Sequence, residues 1–166
     1  MAFSVSLMCA TSPSSTESWP NSHRAAGEYE TLIMEACEQL KDCDCCFHIE
    51  GFGGEWPVDV GYDLSAFMEQ FPELLVAVRK HRYAELDLYS QGIERTLEYY
   101  SQESPVKIRC LSRTSWVPDP EVEVIAREDL ETMLMNLAVD FARALNGVRS
   151  PVAELMRFSD WRDGRV

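Results

Sequence analysis

The sequence predicts an α+β fold, in which a mostly antiparallel sheet of about five to six strands is covered on one face by helices. Residues 83–113 contain three apolar runs with the period of two that is typical of strands, separated by short polar turns. Long segments such as residues 29–40 and 130–145 repeat apolar residues at helical spacing. Strands follow one another through hairpins rather than alternating with helices, which favours antiparallel pairing.

The antiparallel meander of residues 83–113 is the predicted centre of the fold. In its first strand Leu86 and Leu88 alternate with acids, and in its third strand apolar residues alternate with Lys107 and Arg109. One face of the meander is therefore expected to meet a core, and the other to meet solvent or a partner. Acids and bases on adjacent strands of that outer face stabilise the register by roughly 0.2–1 kcal/mol per pair.

Ahead of the meander, the sequence predicts an arm, a helix and a hairpin. Residues 1–25 are expected to form a flexible N-terminal arm, because Ser, Thr, Pro and Asn dominate much of this stretch without an apolar period. The rest of the chain, residues 26–166, is expected to form a single α+β domain. Its first helix begins near residue 27, and strands at residues 45–50 and 56–60 flank a glycine-rich turn.

Helices are predicted before and after the meander in the sequence. The helix over residues 64–78 keeps one apolar face across Pro72, so we expect either a kink or two helices end to end. After the meander, residues 121–124 alternate acids with valines and predict a further short strand. The strongest helical pattern covers residues 130–145, and a last short helix starts at Pro151.

Composition limits the classes of function. The chain has 166 residues, of which 46% are hydrophobic, and 15 Lys and Arg against 28 Asp and Glu give a formal net charge of −13. No apolar run approaches the roughly 20 residues that cross a bilayer. The negative field repels phosphate backbones and anionic lipids, so we expect neither a nucleic acid nor a membrane as partner. We expect a cytoplasmic protein whose partner is a basic protein.

The cysteines and histidines do not form a recognised metal or catalytic motif. Structural zinc sites usually bring their ligands in paired CxxC spacings, which are missing here. We therefore predict no metal, no other cofactor and no catalytic residues, with unpaired cysteines that pack as small apolar residues. The alternative ligand set, if a metal were bound, consists of Cys43, Cys45, Cys46 and His48.

Acidic and aromatic residues are the predicted partner-binding groups. Six acids lie within residues 119–131, where they could steer a basic partner or complement the dipole of the following helix. Tyrosine and tryptophan are enriched at the energetic centres of protein interfaces. The predicted contact residues are Trp56, Tyr89, Trp116, Asp119, Glu121 and Glu123.

In size, charge and the acidic run of residues 119–131, the chain resembles the immunity proteins that neutralise basic bacterial toxins. The resemblance implies an inhibitor that binds the catalytic domain of a toxin and blocks its substrate entrance, with carboxylates where the toxin expects phosphate. Two alternatives remain open. One is a small-molecule enzyme or ligand-binding domain with a pocket between the sheet and the helix of residues 64–78. The other is a regulatory or structural homodimer that uses the open sheet face.

Overall fold

The computed structural model of the protein describes residues 2–10, 28–88 and 93–166, and this part of the chain confirms the α+β class. Its strands are β1 (Ser4–Cys9), β2 (Cys45–Gly51), β3 (Gly54–Glu55), β4 (Tyr83–Leu88), β5 (Arg95–Tyr100), β6 (Val106–Ser112) and β7 (Val122–Ile125). Its α-helices are α1 (Tyr29–Lys41), α2 (Asp63–Arg79), α3 (Arg127–Gly147) and α4 (Met156–Arg162), and a short 3₁₀ helix over Pro151–Glu154 precedes α4.

The strands form two antiparallel sheets. The three-stranded sheet has the order β1-β2-β3, and the four-stranded sheet has the order β4-β5-β6-β7. We expected these strands in one sheet of about five to six. The separation arises because the helix α2 lies between β3 and β4 in the sequence, and the pairings that follow it are local hairpins. The predicted meander is confirmed as β4, β5 and β6.

The first strand corrects the expectation of an arm over residues 1–25. Ser4–Cys9 pairs along its whole length with β2, in a register that sets Val5 opposite Ile49. Val5 and Leu7 are buried, whereas Ser4 and Ser6 are exposed. This alternation gives the segment one face for the core, which is why it forms a strand. The remainder of the expected arm, residues 11–25, lies outside the described residues.

The second predicted helix is a single helix, α2, with Pro72 inside it, so two helices end to end do not occur. Its apolar stripe belongs to the core, where Leu64, Phe67 and Met68 are fully buried. Gln70 fixes α2 to the sheet, because its amide donates to the carbonyl oxygen of Asp87 and accepts from the Asp87 amide N–H, each at 2.9 Å.

The strand expected at residues 56–60 is not formed, and β3 is confined to Gly54–Glu55. Pairing with β2 ends at Trp56, whose amide donates to the Ile49 carbonyl at 2.9 Å. Pro57 has no N–H with which to continue the ladder. Asp59 then turns the chain toward α2, since its carboxylate accepts from the Tyr62 amide at 2.7 Å.

Candidate functional site

The outer face of the four-stranded sheet is exposed and carries two rows of polar and aromatic side chains. In the first row, Tyr83 pairs with Tyr100, which pairs with Lys107, which pairs with Val124. In the second row the paired residues are Glu85, Glu98, Arg109 and Val122. The opposite, inner face carries buried residues such as Leu97 and Ile108. This confirms the expectation that one face of the meander meets the core and the other is open.

Tyrosine hydroxyls and carboxylates form a network on the outer face. The Tyr83 hydroxyl shares its single proton between Glu85 and Glu98, each at 3.2 Å, and Tyr100 donates to Glu98 at 3.0 Å. Partial desolvation, followed by the charges of Glu98 and Glu85, raises the pKa of Tyr83 to about 12. The Tyr83 hydroxyl therefore stays protonated at neutral pH and remains a hydrogen-bond donor to the carboxylates.

Two carboxylates face each other across the strands β4 and β5. Glu85 lies directly opposite Glu98 in the antiparallel register. The nearest cation is Arg109, whose Nη1 lies 3.7 Å from Glu98 and whose Nε lies 2.6 Å from Glu121. Like charges directly opposite one another destabilise a sheet. The outer face therefore keeps two carboxylates close together, beside a pair of tyrosine rings that contact each other with centroids 5.5 Å apart.

The acidic run of residues 119–131 is not one continuous acidic surface. Asp119 and Glu121 are exposed, but Glu121 is paired with Arg109. Glu131 is paired with Arg79, whose Nε lies 2.6 Å from its carboxylate. Glu123 is 93% buried, since only 7% of its surface is exposed. The sequence pattern alone does not separate these environments.

Two of the predicted contact residues, Glu123 and Trp56, are buried. In β7, Glu123 pairs with Ile108 on the inner face of the sheet, so the alternation directs Val122 and Val124 outward. Trp116 is half-buried. The remaining predicted contact residue, Tyr89, lies outside the described residues.

The carboxylate of Glu123 connects the two sheets through the turn that follows β2. Its Oε1 accepts a hydrogen bond from the Phe52 amide at 2.5 Å. The Phe52 carbonyl in turn accepts from the Asp119 amide at 3.0 Å. Gly53 permits this approach, since it has a φ of +98° and a Cβ there would lie 2.5 Å from the Asp119 carbonyl oxygen. The glycine-rich turn is thus a connection between sheets.

An arginine packs against two tryptophans at the end of the inner face, and the two indole rings also contact each other edge to face, with centroids 5.9 Å apart. The Cζ of Arg95 is 3.4 Å from the centroid of the Trp116 ring and 4.4 Å from that of Trp56. Only 6% of Arg95 is exposed, and burial lowers the pKa of its guanidinium. The indole Nε1 of Trp56 donates to the Gly51 carbonyl at 3.2 Å, which fixes the orientation of that ring.

We did not predict the role of Arg95 from the sequence, although a signal exists. Arg95, Leu97 and Tyr99 occupy alternate positions of β5, so they share one face of the strand. Leu97 and Tyr99 are fully buried, as is typical of a core face. A charged residue on the core-facing side of a strand indicates either that it lies at the end of the strand or that it has a functional role.

The cysteines correct the expectation of unpaired thiols. Cys9 at the end of β1 forms a disulfide with Cys45 at the start of β2, and these residues are also paired in the strand register. The alternative ligand set of Cys43, Cys45, Cys46 and His48 therefore loses the Cys45 thiolate in this form. The Nδ1 of His48 lies 3.1 Å from Glu55. Among the described residues, no group of three or more His, Cys, Asp or Glu is arranged to hold a metal ion.

A buried thiol and hydroxyl lie between α1 and α2 but do not form an activated nucleophile. Ser65 donates to Glu69 at 2.9 Å. Burial raises the pKa of the Cys37 thiol, with a smaller opposing contribution from a hydrogen bond with Ser65. Cys37 therefore remains protonated at neutral pH, whereas a nucleophilic cysteine needs a thiolate.

No helix within residues 2–10, 28–88 and 93–166 is both long enough and apolar enough to cross a membrane. Comparison with known protein families, with curated protein sequences and with solved structures gives no match to this chain. The geometry of the outer face and of the Arg95 cluster therefore carries the functional argument.

Proposed function

We propose that the protein binds a basic protein partner through the outer face of its four-stranded sheet and thereby inhibits it. The observation that carries this proposal is the pair Glu85 and Glu98, two carboxylates set directly opposite each other in the register. A lysine or arginine side chain of a partner would relieve the repulsion between them and form charge-assisted hydrogen bonds. The formal net charge of −13 would steer such a partner toward the protein.

The tyrosines next to this pair supply the rest of a binding surface. Tyr83 is 45% exposed and already hydrogen-bonded to both carboxylates, so it can contact a partner at little cost in side-chain entropy. Val122 and Val124 extend the surface with exposed apolar area on the edge strand β7. Tyrosine is one of the residue types enriched at interface hot spots.

The resemblance to immunity proteins leads to a more specific version of this proposal. In that form the partner is the catalytic domain of a toxin, and Glu85 and Glu98 occupy positions where the toxin binds phosphate. A cytoplasmic location belongs to the same proposal. The disulfide between Cys9 and Cys45 is more typical of an oxidising compartment. Its redox state in cells of the native host therefore tests the location separately from the function.

The first test is capture of the partner from a lysate of the native host at low salt, followed by mass spectrometry. A stoichiometric basic protein that is released by high salt supports the proposal, because screening weakens contacts between exposed charges. Light scattering of the purified protein measures its molar mass and so shows whether it forms a homodimer instead. A dimer that occupies the outer face and leaves no other protein bound would contradict the proposal.

The second test separates the outer face from the acidic run. We expect the double substitution E85Q/E98Q to weaken the complex by at least about tenfold, because it removes the charges that the partner contacts. The control is E128K/D129K, which changes exposed acids at the start of α3. Binding affinity is measured by calorimetry, after thermal melting has shown that each variant is folded. Loss of binding only in the control would assign the contact to the acidic run instead.

A further inference from the structure

We propose that Arg95 binds the carboxylate of a small organic acid at a site bounded by Trp56 and Trp116. This site is separate from the outer face, because Arg95 lies on the inner face of the same sheet. The proposal does not depend on the existence of a protein partner.

Two indole rings cover Arg95, at 3.4 and 4.4 Å from its Cζ to the ring centroids. Such cation–π contacts are stronger when the cation is desolvated, as Arg95 is here. The two rings also contact each other edge to face, with centroids 5.9 Å apart, so together they fix the position of the guanidinium. A planar cation in a fixed position is the arrangement that recognises a carboxylate.

Two of the three guanidinium nitrogens of Arg95 are buried without an acceptor in the described part of the chain. Its Nε and Nη1 atoms are buried and have no hydrogen-bond partner there. No carboxylate of the described residues lies within ion-pair distance of it, whereas Arg79 and Arg109 each have a carboxylate oxygen at 2.6 Å. A buried donor without an acceptor is unfavourable, and more so when it is charged. An anion at this position would recover that free energy.

The nearby ionisable group does not supply the missing charge. Cys110 lies on the neighbouring strand β6, close enough for its thiolate to interact electrostatically with Arg95. Burial, however, raises the pKa of Cys110 to about 12, despite the opposing effect of Arg95. Its thiol is therefore neutral at physiological pH. The guanidinium charge remains available to a ligand.

The chemistry of the surroundings selects a small monocarboxylate. The net charge of −13 disfavours multiply charged anions such as phosphate esters. Two tryptophan rings provide apolar walls for an aromatic or aliphatic body. Arg95 is 6% exposed, which favours a small molecule over the terminus of a protein chain. Trp116 is only half-buried and precedes Val117, which is 75% exposed, so this segment is the side from which a ligand reaches the arginine.

The test uses benzoate as the probe and inorganic phosphate as the comparison. In protein labelled with ¹⁵N-arginine, we expect benzoate to shift the Arg95 Nε–H resonance saturably, with a Kd below about 1 mM. Tryptophan fluorescence should change over the same concentration range. Phosphate should produce no saturable shift. Absence of a saturable benzoate shift up to about 10 mM in the wild-type protein would overturn the proposal.

Variants connect the response to Arg95. R95K keeps the positive charge but removes the planar fork of donors, so we expect it to weaken benzoate binding by at least about tenfold. R109K is the matched control on the outer face, and it should bind benzoate as the wild type does. An equal affinity in R95K would overturn the proposal. If R95K does not fold, the resonance shift in the wild-type protein and in R109K still decides the question.

Discussion

At the scale of single residues, Asp63 is the buried acid with the clearest expected effect on stability. It is the first residue of α2 and is only 4% exposed. Burial raises its pKa to about 6, although the Asp59 amide donates a hydrogen bond to its Oδ2 at 2.8 Å and opposes the rise. Its pKa in the folded state therefore lies above the ordinary value of about 3.9.

The sign of the pH effect follows from proton linkage. Between about pH 4 and pH 6 the folded state retains a proton on Asp63 that the unfolded state has lost, so stability falls as pH rises through this window. The loss amounts to at most about 3 kcal/mol above pH 6. We expect D63N, which keeps an oxygen acceptor without the charge, to abolish this contribution and to be more stable than the wild type at pH 7.

The measurement for Asp63 is the free energy of unfolding in urea at several pH values between about 4 and 7. The informative quantity is the difference between D63N and the wild type, because other carboxyls titrate in both proteins. This difference should grow in favour of D63N as the pH rises. A difference that stays constant across the window would contradict the assignment of a raised pKa to Asp63.

Glu123 provides a second prediction, because its buried carboxylate accepts from the amide of Phe52. We expect E123A to lose about 1–3 kcal/mol of stability, since the Phe52 N–H is left without an acceptor. E123Q retains an oxygen acceptor and should lose less. The exposed neighbour Glu121 is the control, and E121A should change stability by less than about 1 kcal/mol. Equal losses in E123A and E121A, measured by urea denaturation, would refute a structural role for Glu123.

At the scale of elements, the disulfide between Cys9 and Cys45 ties β1 to β2 and closes a segment with a sequence separation of 36. A cross-link of this span stabilises a protein by about 3–4 kcal/mol, mainly by restricting the unfolded chain. We expect the double substitution C9S/C45S to lower the free energy of unfolding by about that amount. C46S changes an exposed free cysteine next to the disulfide and should have little effect.

The check on the disulfide is guanidinium denaturation with and without a thiol reductant. The reductant should destabilise the wild type and C46S but leave C9S/C45S unchanged. A wild-type protein that does not respond to the reductant, and whose thiols titrate as free, would show that Cys9 and Cys45 are not linked in solution.

The sequence predicts elements better than it predicts which way a short element faces. The alternation in residues 121–124 indicates a strand correctly, and β7 forms there. The same alternation is compatible with two orientations, one with the valines inward and one with the acids inward. The register with β6 and the Phe52 amide select the second orientation, and both depend on residues distant in sequence. Glu123 was therefore assigned to the wrong side of the sheet.

At the scale of the whole molecule, local patterns do not show how the two sheets meet. The hairpins and helices each have a local signal, but the contact between the turn after β2 and the segment around Asp119 joins parts of the chain separated by many residues. The cluster of Arg95, Trp56 and Trp116 also forms only in the tertiary structure. These residues are far apart in the sequence, and no local pattern links them. The outer face was predictable because it follows from the alternation within one meander.

The packing of β1 against α3 has a consequence for how the protein is made. The amide of Val5 lies 3.1 Å from the Sδ of Met133, so β1 packs on a helix residue that follows Val5 by 128 positions in the chain. During translation, β1 can pair with β2 early, but its apolar face has no cover until α3 has left the ribosome. Until then the apolar face of β1 is incompletely buried, and exposed apolar surface of this kind is what chaperones bind.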